Sequence, residues 1–239
     1  MKVYLDNCVL IDVEIGRLSV SDFKRRPDTE YFFSAAHMDE LLRALTKRPD
    51  VKDVRLGLIQ ELCGSNYISQ DAPEYPMELE YRRPEDVFAL CQQYRELKEL
   101  IERYTISFNT NRDSILEELS LNKIEVSNIS VNKIFDVLDA KMRETENGFG
   151  VDEFLTRSKA VTGSSKFSTL FNLLDSVCYW KDERNVNRFY DALHAYYAQY
   201  CDILVTDDRR MSIKAQAVYN YLGISTGVVS SCEYLKNIF

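Results

Sequence analysis

Carboxylates stand at the ends of apolar segments in this chain. Val3-Tyr4-Leu5 runs straight into Asp6, and Ile203-Leu204-Val205 stops at Thr206-Asp207-Asp208. Tyr31-Phe32-Phe33 ends at Ser34, and the helix predicted from about Ala35 to Leu45 carries Glu40 in its second turn. Asp191 opens a helix on which Ala195 and Ala198 follow at i+4 and i+7, so a face of small side chains has an acid at its N-terminal end. A single Asp in such a place is most often a cap or turn former. Acids gathered at the ends of several elements point instead to a shared purpose. If they converge, two unit charges about 5 Å apart repel by roughly 3 kcal/mol at an effective dielectric near 20. Protonation relieves that repulsion, and so does a hard divalent ion such as Mg²⁺ or Mn²⁺, which prefers oxygen ligands. Such an ion activates a bound water and offsets charge on a phosphodiester.

The elements that must place these acids follow from the same pattern. Short unbroken apolar runs are strands buried on both faces, the signature of a parallel sheet, and ligands bind in the crevice beyond the carboxyl ends of such strands. Ser34 is a good N-cap for the helix after it. Val13 to Arg26 has room for a short helix ended by Pro27. Asp50 is placed to cap a helix from Val51 to Leu62, with Gly64 as its stop, and Tyr67-Ile68-Ser69 reads as a further strand. Toward the C-terminus come a helix from Arg210 to Leu222, a strand at Val228-Val229 and a short helix ending near Ile238. Strand and helix alternate, which predicts an α/β fold with right-handed crossovers.

Composition changes at Asp71-Ala72-Pro73-Glu74-Tyr75-Pro76, which reads as a linker. From Pro84, the stripe Phe88, Cys91, Tyr94, Leu97, Ile101 and Tyr104 predicts a long amphipathic helix, and more helix is predicted over 113–121, 131–143, 151–160 and 165–181. The α/β domain is thus expected to be discontinuous, residues 1–70 and 185–239, around a helical insertion over 71–184. Aromatic residues of the insertion, among them Tyr81, Phe88, Phe135, Phe167, Phe171 and Tyr179, read as core at helical spacing rather than as platforms for nucleic-acid bases.

Four segments carry a resemblance to the PIN-domain nucleases: the strand-terminal aspartate of YLDNCVLID, the glutamate of SAAHMDELL, the aspartate opening DALHAYYA and the T-x-D of DILVTDD. Each is short, but the four occur in the right order, and they span roughly residues 1–69 and 186–239. The resemblance implies a three-layer PIN-like α/β fold with a central, mostly parallel sheet. It implies a metal-dependent endoribonuclease whose catalytic and metal-ligating residues are Asp6, Glu40, Asp191 and Asp208, with Mg²⁺ or Mn²⁺ as cofactor. In that scheme Asp6 and Asp191 hold the principal ion, Glu40 and Asp208 place waters or a second ion, and Thr206, Asp207 and Arg209 are accessory. Single-stranded RNA is the family's commonest substrate, and toxins of toxin-antitoxin pairs are among its members. Two positions depart from the pattern. Cys8 stands where the family often has Asn or Ser, and Asp207 makes the fourth acid ambiguous by one residue.

Two other readings of the resemblance are a catalytically inactive RNA-binding or protein-interaction module and a structure-specific DNA nuclease. A haloacid-dehalogenase-like phosphatase would need a second Asp at the position of Cys8. The insertion, atypical for compact toxins, leaves open substrate restriction, a homodimer through its helices or an inhibitory protein partner.

With 239 residues and 45% apolar content the chain can bury a large core. A net charge of −8 argues against binding nucleic acid through a broad cationic surface, although ions at a carboxylate cluster reverse the local sign. Phosphate contacts are sought among Lys24, Arg25, Arg26, Lys47, Arg48, Arg82, Arg83, Arg209, Arg210 and Lys214, with Arg209 and Arg210 favoured because they follow the acids directly. The six cysteines form no CxxC pair, so neither a zinc site nor a disulfide framework is expected. No apolar run is long enough to span a membrane, and a cytoplasmic location is expected. His194 falls three residues after Asp191, about 60° off its face, and reads as structural or substrate-facing.

Overall fold

Strand β1 (Lys2–Leu5) lies at the centre of the sheet, its Val3, Tyr4 and Leu5 each no more than 1% exposed. A strand buried on both faces belongs in the interior of a sheet, with paired neighbours at both edges and packed layers on both faces. It pairs in parallel with β2 (Glu30–Ser34) on one side and β5 (Ile203–Val205) on the other. Outside these lie β3 (Asn66–Ser69), parallel to β2, and β6 (Gly227–Val229), parallel to β5. An edge strand, β4 (Glu78–Tyr81), runs antiparallel to β3. The order is β4-β3-β2-β1-β5-β6, so the fold is α/β with a six-stranded, mostly parallel sheet.

The computed structural model describes residues 1–25, 28–69, 78–95, 112–146, 148–160, 163–180 and 185–236. The chain divides into two compact units, one of residues 1–101, 197–209 and 226–239, the other of residues 102–196 and 210–225. The first holds the whole sheet with helices α1 (Asn7–Glu14), α2 (Val20–Lys24), α3 (Ala35–Ala44), α4 (Lys52–Cys63), α5 (Pro84–Gln93) and, near the C-terminus, α13 (Ser231–Lys236). Helix α4 packs on β2, α1 and α2, and α3 packs on β2 and α5. One corner of the core is a ring of aromatics in which the Tyr31 hydroxyl donates to the Phe23 carbonyl at 2.8 Å and meets the Tyr234 hydroxyl at 2.8 Å. Pairing the phenols with each other and with a carbonyl removes the penalty of burying them.

The second unit is helical: α6 (Arg112–Glu118), α7 (Lys123–Asn128), α8 (Ile134–Glu144), α9 (Val151–Arg157), α10 (Gly163–Ser176), then α11 (Asn185–Ala198) up to Tyr196 and α12 (Arg209–Leu222) from Arg210. Ile134, Leu138, Val151, Leu170, Phe171 and Leu174 are fully buried in it. So is Asp175, whose Oδ2 accepts from Arg112 at 2.6 Å and from Arg188 at 2.9 Å.

Several expectations change. Helix α1 occupies Asn7–Glu14, where the run Val9-Leu10-Ile11 gives no clear helical stripe. Helix α4 is preceded by a 3₁₀ turn over Pro49–Val51, and Asp50 pairs with Arg48 at 3.0 Å instead of capping it. Gly64 does end that helix, with φ at +60°. Helix α5 stops at Gln93, with Tyr94 as C-cap, and Leu97, Ile101 and Tyr104 lie outside the described residues. The insertion expected over 71–184 is divided differently: β4 and α5 belong to the sheet unit, whereas Asp191 and most of α11 and α12 belong to the helical one. Phe88, Phe135, Phe167, Phe171 and Tyr179 are buried as core, but Tyr81 is 85% exposed. Among the described residues no helix is long and apolar enough to cross a membrane.

Candidate functional site

Strand order reverses at β1: the chain steps from β1 to β2 and β3 in one direction and from β5 to β6 in the other. Connections leaving on opposite sides open a crevice beyond the carboxyl ends of β1 and β5, the usual place for a ligand in an open α/β sheet. Asp6 follows β1 and the Thr206-Asp207-Asp208 loop follows β5, so both fall at that reversal.

Asp6 is the N-cap of α1. Its backbone is still extended, and its Oδ1 accepts from the Asn7 amide at 2.7 Å, satisfying a donor that a helix start leaves unpaired. Its Oδ2 accepts from the Thr206 hydroxyl at 2.8 Å and from the Cys8 thiol at 2.9 Å. The Asp6 amide donates to the Val205 carbonyl at 2.9 Å, and the Thr206 amide to that of Val229 at 3.0 Å, so the ends of β1, β5 and β6 are laced together. Asp6 is 5% exposed and Thr206 2%. Amide, thiol and hydroxyl fix the direction of the carboxylate. Burial, and then the Asp6 carboxylate beside it, push the Cys8 thiol far up, which keeps it an S–H donor. Beneath this site, buried Arg55 of α4 donates to Glu14 at 2.7 Å and to the Asn7 side chain at 2.6 Å, anchoring the helix that Asp6 caps.

The loop after β5 separates its two acids. The Asp208 amide donates to the Thr206 hydroxyl oxygen at 3.2 Å, one hydroxyl away from Asp6. The Asp207 amide donates to Cys8 Sγ at 3.3 Å, and its carboxylate accepts from the amide of Ser231, the first residue of α13, at 2.9 Å. Asp207 is therefore a helix-capping residue, and Asp208 keeps the candidate role. Arg209, exposed, opens α12 directly after it.

Glu40 is half-buried on α3, one turn after His37. Asp191 is half-buried in the middle of α11, which starts at Asn185 and not at Asp191 as expected, while Ala195 and Ala198 of its small face are fully buried. His194 is buried as well. Among the basic candidates, Lys24, Arg25, Arg48, Arg82 and Arg83 form surface ion pairs with Glu61, Asp22, Asp50, Glu80 and Asp86, contacts worth a fraction of a kcal/mol each. Lys214 is not a surface contact for phosphate. It is fully buried, with its Nζ 5.5 Å from the centre of the Phe171 ring, where its stem packs as core. Arg26 lies outside the described residues.

Among the described residues no group of three or more His, Cys, Asp or Glu side chains lies close enough to hold a metal ion. Mg²⁺, however, is often held by one or two protein carboxylates with water and substrate phosphate completing its shell, and Asp6 and Asp208 offer the hard oxygens it takes. Two participants escape the sequence reading. Cys8 bonds across the chain to residues near position 206, which no local pattern reveals. His37 leaves a faint trace, since it stands three residues after the cap Ser34, where a capping box has Glu or Gln. Compared with models of protein families, with curated proteins and with solved structures, the chain matches none.

Proposed function

We propose that this chain is a metal-dependent nuclease that cleaves phosphodiester bonds of RNA at the carboxyl ends of β1 and β5. The observation that carries the reading is the hydrogen bond from the Thr206 hydroxyl to Asp6 Oδ2, which joins two segments some 200 positions apart at the reversal of strand order. Asp6 accepts from the Asn7 amide through Oδ1 and from Thr206 and Cys8 through Oδ2, and in this reading it supplies the first carboxylate. Asp208, positioned through its amide on Thr206, supplies the second carboxylate. Mg²⁺ or Mn²⁺ held there would supply an activated water and offset charge on the phosphate. Arg209, exposed and directly after Asp208 in the chain, is the candidate to contact a phosphate oxygen. Glu40 enters the proposal through the sequence resemblance, as a ligand or as a residue that orients water.

The test is incubation of the purified chain with single-stranded RNA, structured RNA and DNA, each with Mn²⁺, Mg²⁺ or a chelator, beside Asp6→Asn. Metal-dependent cleavage of single-stranded RNA that disappears in the variant supports the proposal, and preferential cleavage of structured DNA shifts it to a DNA nuclease. The alternative is a catalytically inactive RNA-binding or protein-interaction module. What favours it is that, among the described residues, no three acids stand close enough to share an ion. RNA bound without cleavage under every metal condition would establish it.

A further inference from the structure

The helical unit holds a cavity that the nuclease reading does not use. It lies between α6, α8, α9 and α10 and measures about 250 Å³. Its walls are apolar, formed by Ile115, Leu119, Met142, Phe149, Phe154 and Leu173. Protein interiors keep few voids larger than a water molecule, and an apolar cavity of about 150 Å³ stays dry and takes up benzene. A hollow of this size and lining has room for an apolar body of about one aromatic ring and a short chain.

Three polar side chains interrupt the apolar wall, and their chemistry is one-sided. The Thr145 hydroxyl donates to the Met142 carbonyl at 2.7 Å, and the Ser176 hydroxyl donates to that of Asn172 at 2.7 Å. With its proton committed to a helix carbonyl, each hydroxyl can offer a ligand lone pairs only. Glu118, the last residue of α6, is exposed, and it is the one charged side chain of the lining among the described residues. A carboxylate likewise only accepts. Arg157 packs on the Phe149 ring, its guanidinium 4.7 Å from the ring centre, and so braces one wall. Side chains that offer acceptors and no donor, around an apolar hollow with an acid at its rim, match a ligand that is apolar at one end and a cationic donor at the other.

We propose that this cavity binds a small amphiphilic amine. The apolar body enters among Leu119, Phe154 and Leu173, and the ammonium group stays at the mouth against Glu118. Because Glu118 is exposed, neither charge is stripped of water when the pair forms. The site belongs to the helical unit alone and depends on neither metal nor RNA.

The test titrates three probes of similar shape into the full chain at pH 7, followed by ligand-observed NMR: 2-phenylethylamine, which is charged there as alkylamines are, neutral 2-phenylethanol and anionic 3-phenylpropionate. The amine is expected to bind roughly tenfold more tightly than the anion, with the alcohol between them. Glu118→Gln should weaken the amine about three- to fivefold and leave the alcohol unchanged, which separates charge from apolar contact. Leu173→Trp fills the hollow from a half-buried position, leaves the buried Leu170 and Leu174 in place, and should abolish binding of both; Ile115→Trp does the same from α6 if the first variant does not fold. Undiminished amine binding in the filled variant would mean adventitious surface binding and overturns the proposal. So does unchanged amine affinity in Glu118→Gln, tighter binding of the anion, or no binding of the amine by the wild type up to millimolar concentration.

Discussion

In the sheet unit, buried Asp6 is held by an amide, a thiol and a hydroxyl; in the helical unit, buried Asp175 is held by two guanidinium groups on a single oxygen. The difference is between a carboxylate whose charge is met by cations in place and one that neutral donors orient at a strand end. Two arginines on Asp175 compensate its charge where it lies, and the price of removing one member is an uncompensated charge in the interior. The amide, thiol and hydroxyl on Asp6 are neutral donors, and they fix its direction at the end of β1.

The largest effect that could break this comparison is on stability. Asp175→Asn should lower the unfolding free energy by about 3–5 kcal/mol, read from urea unfolding, because it strands Arg112 and Arg188. Asp6→Asn should cost about 1 kcal/mol or less, since its amide oxygen can keep the bond from the Asn7 amide while its NH2 donates to the Thr206 hydroxyl oxygen. Equal losses in the two variants would erase the distinction. Activity should reverse the order. Asp6→Asn is expected to lose Mn²⁺-dependent RNA cleavage by more than about 100-fold, beyond what loss of a supporting residue causes, whereas Asp175→Asn, assayed where it remains folded, should cleave at close to the wild-type rate. A smaller effect sharpens the role of the hydroxyl that joins β1 to β5. Thr206→Val should weaken Mn²⁺ binding about tenfold, and Thr206→Ser should keep it, because the serine hydroxyl can still orient Asp6. Calorimetric titration that shows no difference between the two would remove Thr206 from the site.

A separate effect is on pH dependence in the sheet unit. Burial pushes the Cys201 thiol up to about 12. A thiol raised on folding contributes stability that is intact below its unfolded value of about 8.5 and is lost as pH rises through the folded value. Urea midpoints measured between pH 8 and pH 11 should therefore fall, and Cys201→Ser should flatten that fall by up to roughly 1.4 kcal/mol per pH unit. An unchanged slope would mean that Cys201 ionises as readily in the folded chain as in the unfolded one.

How much of this could be read from the sequence depends on the kind of contact. The buried strands were legible because Val3-Tyr4-Leu5 and Ile203-Leu204-Val205 have to lie in the interior, and the acids after them then fall at strand ends wherever the strands sit. Strand β4 was not legible, since Glu78-Leu79-Glu80-Tyr81 is an edge strand whose pairing with β3 supplies what its own side chains do not. Helix α1 was hidden for a related reason: Asp6, its cap, also satisfies the pattern of a ligand. The separate duties of Asp207 and Asp208 are set by the Ser231 amide, and the bond that His37 Nε2 makes outside its own helix by the Leu5 carbonyl. Backbone groups are the same at every position, so a partner of this kind leaves no mark in the sequence. The helical periodicity of the second unit was strong enough to identify core aromatics such as Phe167 and Phe171, and too uniform to reveal that Asp191 would fall in that unit.

The measurement that tests the central claim most directly is the thermal midpoint with and without Mn²⁺ for wild type, Asp6→Asn, Asp207→Asn and Asp208→Asn. A ligand that binds only the folded state adds about 2.7 kcal/mol at 100 times its Kd. If Asp6 and Asp208 hold the ion while Asp207 caps α13, wild type and Asp207→Asn rise together, and Asp6→Asn and Asp208→Asn do not rise. The same rise in all four proteins would mean that the carboxyl ends of β1 and β5 are not where the ion binds.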